Sequence, residues 1–241
     1  MSEALYRRFR PKTFNEIIGQ DHITTILKNQ ILQSRLSHAY LFTGTRGTGK
    51  TSLAKVFARA INCLNPHEAE PCNECENCLE ALGGKAVDII ELDAASNNSV
   101  DNIRELRDKA IYLPTKLKYK VYIIDEVHML SKGAFNALLK ILEEPPKHLI
   151  FILATTEPER IPKTIISRVQ RFDFKRIDDS LIAKNLSRVL DTIGKKYEDE
   201  AVKIVARAGA GSMRDALSML ESTISYSDTL TKESVLKALG L

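Results

Sequence analysis

Tryptophan is absent from the 241 residues, and Phe, Tyr and Trp together make up only 6% of them. A platform of aromatic rings for stacking single-stranded bases is therefore poorly supplied. No run of about 18 apolar residues occurs, which excludes a membrane-spanning helix from the reading. The N-terminus, Met1-Ser2-Glu3-Ala4-Leu5-Tyr6-Arg7-Arg8, lacks the apolar stretch of a secretory leader. A cytoplasmic setting is expected on that basis. Internal repeats and low-complexity segments are missing, and so is any long run of one charge. Lys and Arg number 35 against 31 Asp and Glu, a net charge of +4 that permits contact with phosphates without demanding it. Cysteine is scarce: there are four, all between Cys63 and Cys78.

With 44% hydrophobic and 27% charged residues, the chain has material for one or two globular domains. Short apolar runs recur at Ala39–Phe42, Val87–Leu92, Val121–Ile124, Leu149–Ala154 and Val169–Phe174. Most are nearly continuous in apolar character, as strands of a parallel sheet covered on both faces are. Between them lie helical patterns such as Ala134–Leu142. Strand and helix alternate, which predicts a layered α/β domain over residues 1–177. From Asp178 onward only amphipathic helices are evident, so a small helical domain is expected over 178–241. Ser212 is placed as an N-cap, and Thr231 opens a further helix. The sequence stops soon after, at Leu241, and more chain, including an assembly collar, is expected beyond it.

Gly44-Thr45-Arg46-Gly47-Thr48-Gly49-Lys50-Thr51 follows the first apolar run and precedes a helical pattern. This is the phosphate-binding loop pattern: glycines turn successive backbone N–H groups inward, Lys50 neutralises phosphate charge, and the Thr51 hydroxyl can hold magnesium. The run from Val121 ends in Asp125-Glu126. Asp125 is placed to bind magnesium and Glu126 to polarise the attacking water. His128, two residues on, is assigned no role. The run from Leu149 ends in Thr155-Thr156. Thr155 or its neighbour Thr156 is expected to read the γ-phosphate, and sequence does not separate them.

Cys63, Cys72, Cys75 and Cys78 offer four thiolates, enough to close a tetrahedral zinc site with no open position. Disulfides are disfavoured in a cytosolic chain, and an iron–sulfur cluster has no redox context here. A structural zinc module over about 63–78 is the reading.

Further stretches are more specific. They are Arg10–Phe14, Ile18-Gly19-Gln20, His38–Phe42, Asp125–Leu130, Asn136–Lys140, Leu142-Glu143-Glu144-Pro145-Pro146, Ile166-Ser167-Arg168 and Gly211–Leu217. With the phosphate loop they resemble the AAA+ ATPases and, within these, the gamma/tau-type subunits of the bacterial DNA polymerase III clamp loader. The resemblance extends over nearly the whole chain. It implies a five-stranded parallel sheet with an inserted zinc module, a helical lid over ATP, and Arg214 in that lid touching the phosphates. It also implies an adenine and ribose cradle from Tyr6, Arg7, Arg10, Pro11, Ile17 and Ile18. Arg168 corresponds to a finger that reaches a neighbouring subunit's ATP, a role worth about 10³–10⁵ in rate. Similar proteins carry Ser-Arg-Cys there, whereas this chain reads Ser167-Arg168-Val169.

The function this implies is an ATP-driven motor subunit that loads a sliding clamp onto primed DNA. The implied partners are delta- and delta-prime-type subunits, further gamma/tau-type copies, the clamp and primed DNA. A hetero-oligomer is expected for the whole protein, and a monomer for this length of chain. Asn97, Asn98 and Ser99 enter a helix whose N-terminal N–H groups could meet a DNA phosphate. Two rivals are a branch-migration motor, opposed by the zinc module and the Leu142–Pro146 stretch, and a non-hydrolysing scaffold, opposed by the intact Lys50, Thr51, Asp125 and Glu126.

Overall fold

A computed structural model describes residues 3–240. In chain order, α1 (Leu5–Arg8) and α2 (Asp21–Leu32) lead to β1 (Ala39–Thr43), α3 (Lys50–Ile61) and α4 (Glu76–Leu82). Then come β2 (Ile89–Asp93), α5 (Val100–Ala110), β3 (Lys120–Asp125), α6 (Lys132–Glu143), β4 (Leu149–Thr155), α7 (Lys163–Ile166) and β5 (Gln170–Asp173). The rest is α8 (Asp179–Ile193), β6 (Lys196–Tyr197), α9 (Asp199–Ala208), α10 (Met213–Tyr226), β7 (Thr229–Leu230) and α11 (Lys232–Leu239).

The first five strands form one parallel sheet in the order β2-β3-β4-β1-β5. All seven residues of β4 are buried, as its unbroken apolar run requires of a central strand covered on both faces. Alternate residues point to opposite faces, so each strand feeds two cores. Leu41, Ile124, Phe151 and Leu153 pack with α5 and α6 residues such as Ile103, Leu106 and Leu138. Tyr40, Phe42, Ile123 and Ile152 pack with Ile23 and Leu27 of α2 and Leu53 and Phe57 of α3. A third core joins α8 to α11 through Leu186, Val205, Leu217 and Val235, and takes in Leu5 and Ile177. The start of the chain thus packs with the helices of its far end.

Two details differ from the sequence reading. The second strand begins at Ile89, not Val87: Val87 is exposed, and the buried Asp88 accepts backbone N–H groups from Thr115, Lys116 and Leu117 at 2.8, 2.8 and 3.0 Å. The helical end also contains a two-residue parallel pairing, Lys196 with Thr229 and Tyr197 with Leu230. So short a pairing has no alternation to betray it; it forms because α9, α10 and α11 bring its ends together.

Because the sheet is parallel and doubly covered, its strands deliver their C-terminal ends to one edge. β1 pairs with β4 and β4 with β3, so the phosphate loop, Asp125-Glu126 and Thr155-Thr156 emerge side by side.

Candidate functional site

The loop after β1 is shaped by glycines in conformations that L side chains rarely adopt. Gly47 has φ +77°, and a Cβ there would stand 1.9 Å from Ser212 Oγ. Gly44 has φ +143°, where a Cβ would meet the Phe174 carbonyl at 2.7 Å. Lys50 opens α3 and is 6% exposed; its Nζ donates to the carbonyls of Gly44 and Thr45 at 2.7 and 2.9 Å. Burial pulls the Lys50 ammonium pKa down, against the opposing pull of the Glu126 and Asp125 carboxylates. A phosphate chain would replace those carbonyls as the partner of a charge already held in place.

Thr51 Oγ1 donates to Asp125 Oδ2 at 2.8 Å, so the two expected magnesium ligands are neighbours. A hydroxyl beside a carboxylate at the mouth of a phosphate loop is a hard oxygen donor set that suits magnesium. Glu126 follows with φ +47° and its N–H on Asp125 Oδ1 at 3.0 Å. That left-handed turn aims its carboxylate toward the end of β4. There Thr156 donates its hydroxyl and its N–H to Glu126 Oε2 at 3.0 and 3.3 Å. Thr155 is fully buried; its Oγ1 lies 2.9 Å from His128 Nδ1 and accepts the Glu157 N–H at 3.0 Å. The hydroxyl beside Glu126 is therefore that of Thr156, one of two alternatives sequence left open.

His128, given no role from sequence, is 7% exposed and central to this corner. Its Nδ1 stands 3.4 Å from Glu126 Oε2 and its Nε2 3.2 Å from Glu157 Oε1. No sequence signal distinguishes it from a packed core histidine.

Lys50, Thr51, Asp125 and Glu126 border a cleft of about 430 Å³ between the sheet edge and the last helices, while Thr155, Thr156 and His128 stand behind Glu126 and do not line it. Arg46 to Thr51, Asp125 and Glu126 line one side. Tyr6, Arg10, Pro11, Ile17 and Ile18 line the other, with Met213, Arg214 and Leu217 of α10. Gly44 and Thr45 lie behind, their carbonyls held by Lys50. Arg7 departs from expectation: it is exposed, does not line the cleft, and donates Nε to the Tyr6 hydroxyl at 3.1 Å. One residue past Tyr6 on a helical turn, it points about 100° away and cannot share that face. Arg214 stands 5.0 Å over the Tyr6 ring, and the neighbouring Met213 N–H bonds to the Gly47 carbonyl at 3.1 Å. Ser212 caps α10 by accepting the Asp215 N–H at 3.2 Å, so the cap that starts this helix also touches the phosphate loop.

Sequence reasoning missed Asn185 and Arg188 of α8, which also line the cleft. The available signal was Asn185 itself, a polar residue among Ile182, Leu186 and Val189 on the apolar stripe. Arg168 lies elsewhere. Its guanidinium pairs with Glu143 Oε1 at 3.0 Å and donates to the Thr164 carbonyl at 2.8 Å, outside the chain's own cleft.

At the other end of α3 the four cysteine sulfurs lie within 4.8 Å of one another. Cys63 and Cys72 are 3.5 Å apart, Cys63 and Cys75 4.0 Å, Cys72 and Cys78 3.9 Å. Four thiolates about 2.3 Å from one tetrahedral ion stand about 3.8 Å apart, so the cluster fits zinc. The Cys72 and Cys75 N–H groups donate to the sulfurs of Cys63 and Cys72, each at 3.3 Å. Burial pushes the Cys75 thiol up, but backbone bonds from Leu64 and Cys78 outweigh it and bring its pKa down to about 6.

Near the end of β2, Ser99 caps α5 by accepting the Asn102 N–H at 3.1 Å, and Asn97 donates to the Asp93 carbonyl at 3.1 Å. Asn98 is exposed.

The sequence has close relatives. The family model described as "DNA polymerase III, delta subunit" matches residues 19–178. That described as "DNA polymerase III clamp loader subunit, ATPase lid domain" matches residues 181–229. DNA polymerase III subunit tau of Bacillus subtilis is 57% identical over 230 residues, 95% of this chain and 41% of that protein. DNA polymerase III subunit tau/gamma of Haemophilus influenzae is 48% identical over 240 residues, 99% of this chain and 35% of that protein. The chain therefore spans well under half the length of these relatives. Among solved structures, the Thermotoga maritima RuvB Holliday junction branch migration motor superposes with a TM-score of 0.71. It covers 96% of this chain and 72% of that one at 21% identity, a likeness of fold alone.

Proposed function

Since the chain belongs to the DNA polymerase III clamp-loader subunits, we propose that it is the ATP-binding and ATP-hydrolysing part of a motor that loads a sliding clamp onto primed DNA. One observation carries this reading: Lys50, Thr51, Asp125, Glu126 and Arg214 converge on a single cleft between the sheet and the last helices. We read residues 1–177 as the nucleotide-binding domain and 178–241 as its lid. The phosphates of ATP lie along the loop from Arg46 to Thr51. Thr51 and Asp125 would hold magnesium, whose charge offsets that of the β- and γ-phosphate oxygens. Glu126 takes the proton of the attacking water, while Thr156 and His128 fix the direction of its carboxylate. The base and ribose lie against the apolar wall of Pro11, Ile17 and Ile18, with Tyr6 and Arg10 at its rim. Arg214 closes on the phosphates from α10.

Arg168, outside its own cleft, is assigned to a neighbouring subunit's ATP. The active species is then an oligomer with delta- and delta-prime-type subunits and further copies of gamma/tau type. Asn97, Asn98 and Ser99 at the start of α5 are offered to the DNA backbone, with Asn98 and Ser99 exposed and Asn97 half-buried. Zinc would hold the cysteine module closed. A cytoplasmic setting accords with this role, and no helix among the described residues is long and apolar enough to cross a membrane. A branch-migration motor is not favoured, because the likeness to RuvB is one of fold alone. A non-hydrolysing scaffold has no use for Glu126 beside Asp125.

The test is ATP turnover by the full-length protein assembled with its loader partners, with and without clamp plus primed DNA. Stimulation by both together is expected, and turnover indifferent to both would sink the loader reading. Glu126→Gln should keep ATP binding and lower turnover by about 10²–10⁴.

A further inference from the structure

The cysteine module and the nucleotide cleft are joined by contacts that neither ligand set requires. Glu70, between Cys63 and Cys72, accepts the Phe14 N–H at 2.7 Å, the Asn15 N–H at 3.2 Å and Lys28 Nζ of α2 at 3.0 Å. Arg59, 4% exposed in the last turn of α3, donates Nη2 to the Lys12 carbonyl at 2.6 Å and Nε to Asn73 Oδ1 at 2.8 Å. Asn73, between Cys72 and Cys75, donates Nδ2 to that same Lys12 carbonyl at 3.2 Å. The stretch so gripped, Lys12 to Asn15, lies in the chain between two segments that line the cleft, Arg10-Pro11 and Glu16–Ile18.

The gripping loop is not relaxed on its own account. Glu68, Ala69 and Asn73 have φ of 48°, 66° and 59°, three of the six non-glycine residues with positive φ among the described residues. Such a backbone persists only where its surroundings over-determine it. Four thiolates drawn onto one ion from both ends of the loop would do so.

We propose that the cysteine module anchors the base-side wall of the nucleotide cleft, with Glu70 and Asn73 as positioning residues through which zinc occupancy sets ATP affinity. The inference rests on reading the cleft as a nucleotide site. The phosphate side is insulated from it: the phosphate loop opens α3 and the module follows that helix's end, about 18 Å away at 1.5 Å per residue over its 12 residues. Loosening the anchor therefore weakens the hold on the base and leaves the hold on phosphates intact.

The experiment compares the zinc-loaded full chain with Glu70→Ala and with Asn73→Gly. Glycine keeps the left-handed backbone at position 73 and deletes both side-chain bonds. Zinc per chain is measured by atomic absorption, and affinities for ATP and for inorganic tripolyphosphate by calorimetry. Both variants are expected to retain zinc, to bind ATP about tenfold more weakly, which is about 1.4 kcal/mol, and to bind tripolyphosphate as the parent does. Chelating zinc from the parent should produce the same ATP deficit, and chelating it from the doubly substituted chain should add little, because the two perturbations act through one set of contacts.

Variants that keep zinc and bind ATP normally overturn the proposal, as does a zinc-stripped parent with unchanged ATP affinity. Equal losses for ATP and tripolyphosphate overturn it too, since they mark general loosening. Variants that lose their zinc show Glu70 and Asn73 serving the metal, not the wall, and count against it. A zinc-loaded parent that binds neither probe overturns instead the reading of the cleft.

Discussion

The two ends of α3 carry two sites of opposite design. At its N-terminus the phosphate loop is one wall of an open cleft, completed by the ends of β2 and β3, by the segment from Tyr6 to Pro11 and by α10. At its C-terminus a segment of 16 residues, Cys63 to Cys78, brings together all four of its sulfurs unaided. An open site admits, turns over and releases a ligand, and its parts must come from elements that can move apart. A closed site holds a ligand for good, and its parts can be local. That contrast predicts where substitutions act at a distance and where they act in place.

The largest effect expected is at the residue proposed to complete a neighbour's open site. Arg168→Ala should lower turnover of the assembled complex by about 10³ while leaving the isolated chain's fold unaltered. ATPase assays on complex and isolated chain, with circular dichroism beside them, check this; an equal loss in both would place Arg168 in its own subunit's chemistry. Cys72→Ser should act in place. Zinc affinity should fall by more than about 100-fold, read by competition with a chromogenic chelator, while hydrogen exchange in the sheet strands stays protected. Arg214→Ala tests whether α10 completes the cleft: ATP affinity should fall about tenfold, with ADP less affected, since a lid arginine near the γ-phosphate favours the longer chain.

The smallest effect concerns a closed unit without a metal. Burial pushes the Asp88 carboxyl up, but the N–H groups of Leu117, Thr115 and Lys116 and the Lys120 charge outweigh it and hold its pKa below the ordinary range. A carboxylate depressed in the folded state stabilises above its unfolded pKa of about 4, and that stabilisation is lost as pH falls through the folded value. Asp88→Asn should therefore cost about 1 kcal/mol at neutral pH and less in acid, measured by urea denaturation at both pH values.

Much was legible along the chain because it was written locally. The phosphate loop, the carboxylate pair at a strand end and the cysteine spacing each occupy a few consecutive residues whose chemistry needs no distant partner to be recognised. The apolar runs of β1, β3 and β4 announced a parallel sheet for the same reason, since a strand buried on both faces must be apolar throughout. What escaped was decided across distance. Asp88 stands beside an apolar run and was read into a strand, although its true partners are Thr115, Lys116 and Leu117. Arg7 was placed in the cradle with Tyr6, and a single helical step turned it to solvent. Thr155 and Thr156 are adjacent and chemically alike; only the arrival of His128 from the end of β3 assigns one to the core and leaves the other on Glu126.

The residues by themselves determined which chemical groups this protein carries: a phosphate-loop pattern, a hydroxyl and carboxylates of the kind that suit magnesium and a general base, and four closely spaced cysteine sulfurs. Residue type and close spacing encode these, and both survive in an unfolded chain. The tertiary structure alone decided how they are joined. It set Gly47 against Ser212, placed Asn185 and Arg188 in the cleft, and tied Glu70 to Phe14 and Asn15 across more than fifty residues of chain. Contacts between residues so far apart carry no pattern in sequence, because they exist only when separate cores pack and bring their edges together.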